Sequence, residues 1–155
     1  MNGSVEVIVS TSSPAGAAHP ERSPVTPLDG ALAAAAAATT LVALWLGFTA
    51  FTVLPARDPA HVPMWLGVAS GFLVFAAASF AALRPGRFGR VGRVAAALLG
   101  VAAAGLGLGT VLRVGLRTGA HEHFEGYLVL MGAVLAVHGL VALAHAFAVS
   151  APKRD

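Results

Sequence analysis

The chain has 155 residues, of which 57% are hydrophobic and only 11% charged, with a net charge of +3 and no cysteine. A soluble domain carries about 25% charged residues, so the composition argues against a soluble globular enzyme. The missing thiols exclude disulfides, iron–sulfur clusters, thiol catalysis and S-palmitoylation.

Residues 1–29 are dominated by Ser, Pro, Ala and Gly, a composition that buries too little apolar surface to offset its ordering entropy. They are expected to form a disordered tail. Lacking a positive cluster at their start, they do not resemble a secretory signal. Four charge-free stretches follow, at 30–56, 59–83, 94–112 and 126–152. Each reaches the roughly 20 residues that a helix needs to cross about 30 Å of hydrocarbon. None alternates in polarity as a barrel strand would. The expected fold is therefore all-α: an integral membrane four-helix bundle with helices at about 31–54, 63–83, 94–112 and 126–150, and a short tail at 151–155.

The first helix opens on an alanine run, Ala33 to Ala38, and ends ahead of Pro55. The second begins at Pro63, a residue suited to a first helical turn, and stops at Arg84-Pro85-Gly86. The connection to the third carries Arg84, Arg87, Arg90 and Arg93, where anionic lipid headgroups would meet them. This placement gives the basic pI of about 10.6 a lipid-facing explanation, with no nucleic acid as partner. The repeat Gly86-Arg-Phe-Gly89-Arg-Val-Gly92-Arg is not a phosphate loop, having no Gly-Lys-Ser/Thr end and no preceding strand. Counting Lys and Arg flanking the spans puts seven on the side of the termini and the Gly-Arg connection, against Arg57, Arg113 and Arg117 opposite. Positive residues stay inside, so both termini are expected in the cytoplasm, with Trp65 and Tyr127 at the outer interface. The Ala, Gly and Arg bias resembles that of a GC-rich bacterial genome, so the expected location of the multi-pass chain is the bacterial inner membrane.

Residues 41–83 slid onto 101–143 give 10 identities in 43, including Gly47 with Gly107 and His61 with His121. This raises the possibility of two duplicated helical hairpins, an arrangement known among membrane proteins. Helix contacts in lipid rely on small residues. Gly67 with Gly71 and Gly105 with Gly109 are the expected packing positions, either within the chain or toward a partner, and Gly132 with Ala136 forms a weaker pair.

Histidine supplies the only ionisable groups at depth. His138 falls at the centre of the fourth span with His145 seven residues on, on the same helix face. Intramembrane ionisable groups are functional candidates by default. Their plainer role is hydrogen bonding to Ser70, Thr39, Thr40 or a helix carbonyl. The segment His138-Gly-Leu-Val-Ala142-Leu143-Ala-His145 resembles the last helix of the bacterial cytochrome b561 family. That resemblance implies haem as cofactor, with His138 and His145 as ligands. Family members draw partner histidines from other membrane helices, whereas helices one to three here contain none, so haem would need a second subunit. A second group, His61, His121 and His123 with nearby carboxylates, has donor types suited to a transition metal or to sensing acid.

No serine triad, carboxylate pair or dinucleotide fingerprint is visible in the sequence. The favoured expectation is a non-catalytic accessory or scaffolding subunit of a larger bacterial membrane complex, with no cofactor. The alternatives are a haem- or metal-binding redox protein and a small transporter.

Overall fold

The computed structural model describes residues 25–116 and 123–150. The expected disordered tail up to residue 24, His121 and the basic residues after 150 lie outside the described residues. Among the described residues there are five α-helices: α1 (Pro27–Thr52), α2 (Leu54–Arg57), α3 (Val62–Ala82), α4 (Gly86–Gly115) and α5 (His123–Ser150), with a 3₁₀ turn at Pro59–His61. No strand occurs among the described residues. The four long helices are each long and apolar enough to cross a membrane. The chain is a multi-pass α-helical membrane protein.

Local chemistry explains where the helices differ from the expected bounds. α1 begins four residues early because Thr26, Pro27 and Asp29 build a capping box. The Thr26 side chain accepts from the Asp29 amide at 3.2 Å, and the Asp29 carboxylate accepts from the Thr26 amide at 2.7 Å. Pro27 occupies the first turn, where no N–H is needed. α1 stops at Thr52 since Pro55 has no N–H to continue the ladder.

The larger difference is at α4, which starts at Gly86, eight residues before the expected Val94. The Gly-Arg segment is helix, not connection. Only Leu83, Arg84 and Pro85 separate α3 from α4, and Gly86 takes a φ of 78°, a conformation that favours glycine. A Cβ at Gly89 would collide with the Arg84 carbonyl oxygen, and one at Gly92 would stand 2.5 Å from the Ala82 nitrogen. These two glycines let the start of α4 lie against the end of α3. Arg87 and Arg90 remain exposed.

α1, α3, α4 and α5 pack in a ring, each against its two neighbours. The buried seam of α1 is Leu32, Ala36, Thr39, Ala43, Leu46 and Ala50, and that of α3 includes Ala69, Phe72, Ala76 and Ser79. Alternating steps of three and four residues average 3.5, the period of left-handed helix packing. Two apolar clusters fill the interior. One holds Leu32, Phe75, Ala82, Ala96, Ala103 and Ala142; the other holds Ala43, Leu46, Ala69 and Phe72.

The tightest contact joins α4 to α5: it uses the expected weaker pair, Gly132 and Ala136, but otherwise runs through glycines other than those expected. A Cβ at Gly100 would stand 3.0 Å from the Gly139 carbonyl oxygen, and one at Gly139 would stand 2.5 Å from that of Gly100. Two turns away, Gly107 abuts the Gly132 carbonyl, and its Cβ would lie 2.6 Å from the Ala136 nitrogen. Gly67, Gly71, Gly105 and Gly109 have nothing within 4 Å of where a Cβ would stand, so they do not pack the helices of this chain. A four-residue spacing marks close pairs in right-handed crossings. In a left-handed antiparallel pair the seam returns every seven residues, as at Gly100 and Gly107 opposite Gly139 and Gly132. The two helical hairpins also differ in packing: Gly107 is clamped, whereas its sequence counterpart Gly47 has open space.

Candidate functional site

His138 is fully buried, twelve residues from either end of the apolar segment Gly126–Ser150, and hence near the membrane midplane. Its Nδ1 lies 2.7 Å from Thr39 Oγ1 on α1, and its Nε2 lies 2.9 Å from Ser79 Oγ on α3. The Phe75 ring stacks on the imidazole with centroids 3.9 Å apart and an interplanar angle of 19°. A neutral imidazole has one N–H donor and one acceptor nitrogen, and the two hydroxyls match both. Next in the chain, Gly139 faces α4. Consecutive residues of α5 thus bind it to all three other spans.

Most other hydroxyls on these helices bond the carbonyl four residues back. Thr40 donates to Ala36, Thr52 to Phe48, Ser70 to Leu66, Thr110 to Leu106 and Ser150 to Ala146, at 2.7–2.8 Å. Thr39 and Ser79 turn instead to the imidazole. Of the partners expected for the histidines, Thr39 is used, while Ser70 and Thr40 are not.

His145 is 3% exposed, and its Nε2 donates to Asp29 Oδ1 at 2.9 Å. The other carboxylate oxygen takes the Thr26 amide and hydroxyl at 2.7 and 2.9 Å. The group that starts α1 therefore also holds the last third of α5. No buried side-chain nitrogen or oxygen among the described residues lacks a partner.

Ser79 and His138 have the separation of a nucleophile and its base. The third member, Thr39, is a neutral hydroxyl and cannot stabilise an imidazolium as a buried carboxylate does. Ser79 is fully buried. The adjacent groove, about 240 Å³, is lined by Ala35, Ala38, Ala133, Val134, Val137 and His138, without Ser79. The arrangement is chemically suited to joining helices.

Iron or metal ligation by His138 would require breaking its bond to Thr39 or Ser79. His145 directs its Nε2 to Asp29 and not toward His138. His61 Nδ1 lies 2.7 Å from Asp58, its own neighbour, in an exposed turn. His121 and the side chain of His123 lie outside the described residues, and among the described residues no group of three or more His, Cys, Asp or Glu converges.

At the end of the bundle opposite the Gly-Arg segment, Trp45 of α1 stands 6.3 Å from Trp65 of α3 and 5.4 Å from Tyr127 of α5. Trp65 and Tyr127 were expected at one interface; Trp45 joins them there. Ser79, Phe75 and Asp29 escaped sequence reasoning. Ser79 lies seven residues after Phe72 on the α3 seam, and Asp29 sits third after Thr26, the spacing of a capping box. Both signals were present.

No family model, no curated protein and no solved structure matches the chain. The likeness of α5 to a cytochrome helix rests on the segment from His138 through Ala142-Leu143 to His145.

Proposed function

We propose that the chain is a non-catalytic accessory or scaffolding subunit of a larger bacterial membrane complex, resident in the inner membrane with both termini cytoplasmic. The observation that carries this reading is the contrast between a closed interior and open small-residue faces. Inside, both nitrogens of His138 and the Nε2 of His145 are engaged by the chain's own groups. Outside, Gly67 and Gly71 on α3 and Gly105 and Gly109 on α4 have clear space around them, on neighbouring helices. Such faces let another helix approach closely.

The test is the size of the native particle extracted in a mild detergent. The chain is expected to elute with other membrane subunits, and Gly67→Leu with Gly105→Leu is expected to release it without unfolding it. Elution of the wild-type chain alone would refute the reading. A Soret absorption lost on His138→Ala would replace it with a haem-based redox function.

A further inference from the structure

We propose that the four turns of α4 from Arg87 to Val101 form a binding site for an anionic phospholipid, with Arg87 and Arg90 on the phosphate and an apolar stripe below them along an acyl chain. At 100° per residue, Arg87, Arg90, Val91, Val94, Leu98 and Val101 fall within one arc of about 100° on the helix. Val91, Val94, Leu98 and Val101 are 61–69% exposed, and both arginines are exposed. Neither arginine has an acidic partner among the described residues.

Depth fixes what each part meets. Gly100 packs on Gly139, beside the central His138, so it marks the midplane of α4. At 1.5 Å per residue, Arg90 and Arg87 lie about 15 and 20 Å from that level, and half of a hydrocarbon core is about 15 Å. The arginines therefore stand at headgroup height, while Val94 and Leu98 stand among acyl chains. Gly89 and Gly92 seat this segment against Arg84 and the end of α3, which holds the arginine pair in place. Adjacent arginines three residues apart can both reach one phosphate. A soluble anion would use the arginines but not the stripe, so the combination selects a lipid.

The experiment uses the purified full chain in a neutral detergent, exposed to equal amounts of phosphatidylglycerol and phosphatidylcholine, with retained lipid counted by native mass spectrometry. Phosphatidylglycerol is expected to be preferred by about 25-fold, from about a factor of five per arginine. Arg87→Gln with Arg90→Gln should bring the ratio near one. Arg113→Gln, at the opposite end, should leave it unchanged, and inorganic phosphate should not displace the bound lipid. A preference that survives the double substitution, or lipid displaced by millimolar inorganic phosphate, would overturn the proposal. These outcomes are independent of particle size, on which the accessory reading stands.

Discussion

At His138 one side chain joins three helices, and the strength of that join can be apportioned. Interhelical hydrogen bonds in membranes average about 0.6 kcal/mol and reach about 1.7, because a freed hydroxyl can turn back to its own helix carbonyl. Thr39→Val and Ser79→Ala should each lower stability by about 0.5–1.5 kcal/mol. His138→Ala removes both bonds and leaves a cavity beside Phe75, so a loss of about 2–4 kcal/mol is expected. Unfolding in mixed micelles measures all three, and His138→Ala no worse than Thr39→Val would show that the imidazole is a filler and not a clasp. The Asp29–His145 bond permits a cleaner test, since both partners can be altered singly and together. Asp29→Asn and His145→Gln should show a coupling of roughly 1 kcal/mol in a double-mutant cycle. Additive effects would mean that Asp29 acts only as the cap of α1.

At the scale of helices, glycine position decides more than glycine number. Gly107→Leu and Gly139→Leu would drive side chains into the backbone of the facing helix, and each should cost about 2 kcal/mol or more. Gly67→Leu and Gly105→Leu meet open space and should leave the stability of the isolated chain within about 0.5 kcal/mol. Thermal unfolding of the four variants in detergent separates the two classes, and equal losses would refute the packing described for α4 and α5. This contrast also shows how far the sequence could be read. The spans were legible because a charge within hydrocarbon is costly, so 17 charged residues outline the helices. The buried histidines His138 and His145 were legible for the same reason. Of the glycine contacts, only the Gly132 and Ala136 pair was legible; the rest were not, because Gly67-x-x-x-Gly71 and the seven-residue pair Gly100 and Gly107 are equally compatible with composition, and the choice depends on the handedness of crossing, set by all four seams together. The start of α4 was hidden because arginine reads as a loop boundary in a membrane protein, although it is itself a good helix former.

At the scale of the molecule, the two ends of the bundle have opposite characters, and the proposed orientation rests on this difference. One end holds Arg84, Arg87, Arg90 and Arg93, and the other holds Arg57 and Arg113 together with the Trp45, Trp65 and Tyr127 cluster. Aromatic belts occur at both interfaces, so the aromatic cluster fixes depth without choosing a side; only the arginines choose. With α4 beginning at Gly86, Arg87 and Arg90 stand on its first turns, within the range over which positive charge governs topology. The chain has no cysteine, so a single introduced thiol reports one position unambiguously. His61→Cys samples the aromatic end, and Phe88→Cys, at a side chain that is 81% exposed, samples the other while leaving every arginine intact. In whole bacterial cells a membrane-impermeant maleimide should label His61→Cys directly and Phe88→Cys only after permeabilisation. The reverse pattern would place the arginine end outside, against the positive-inside rule, and would withdraw the cytoplasmic leaflet as the source of lipid for Arg87 and Arg90.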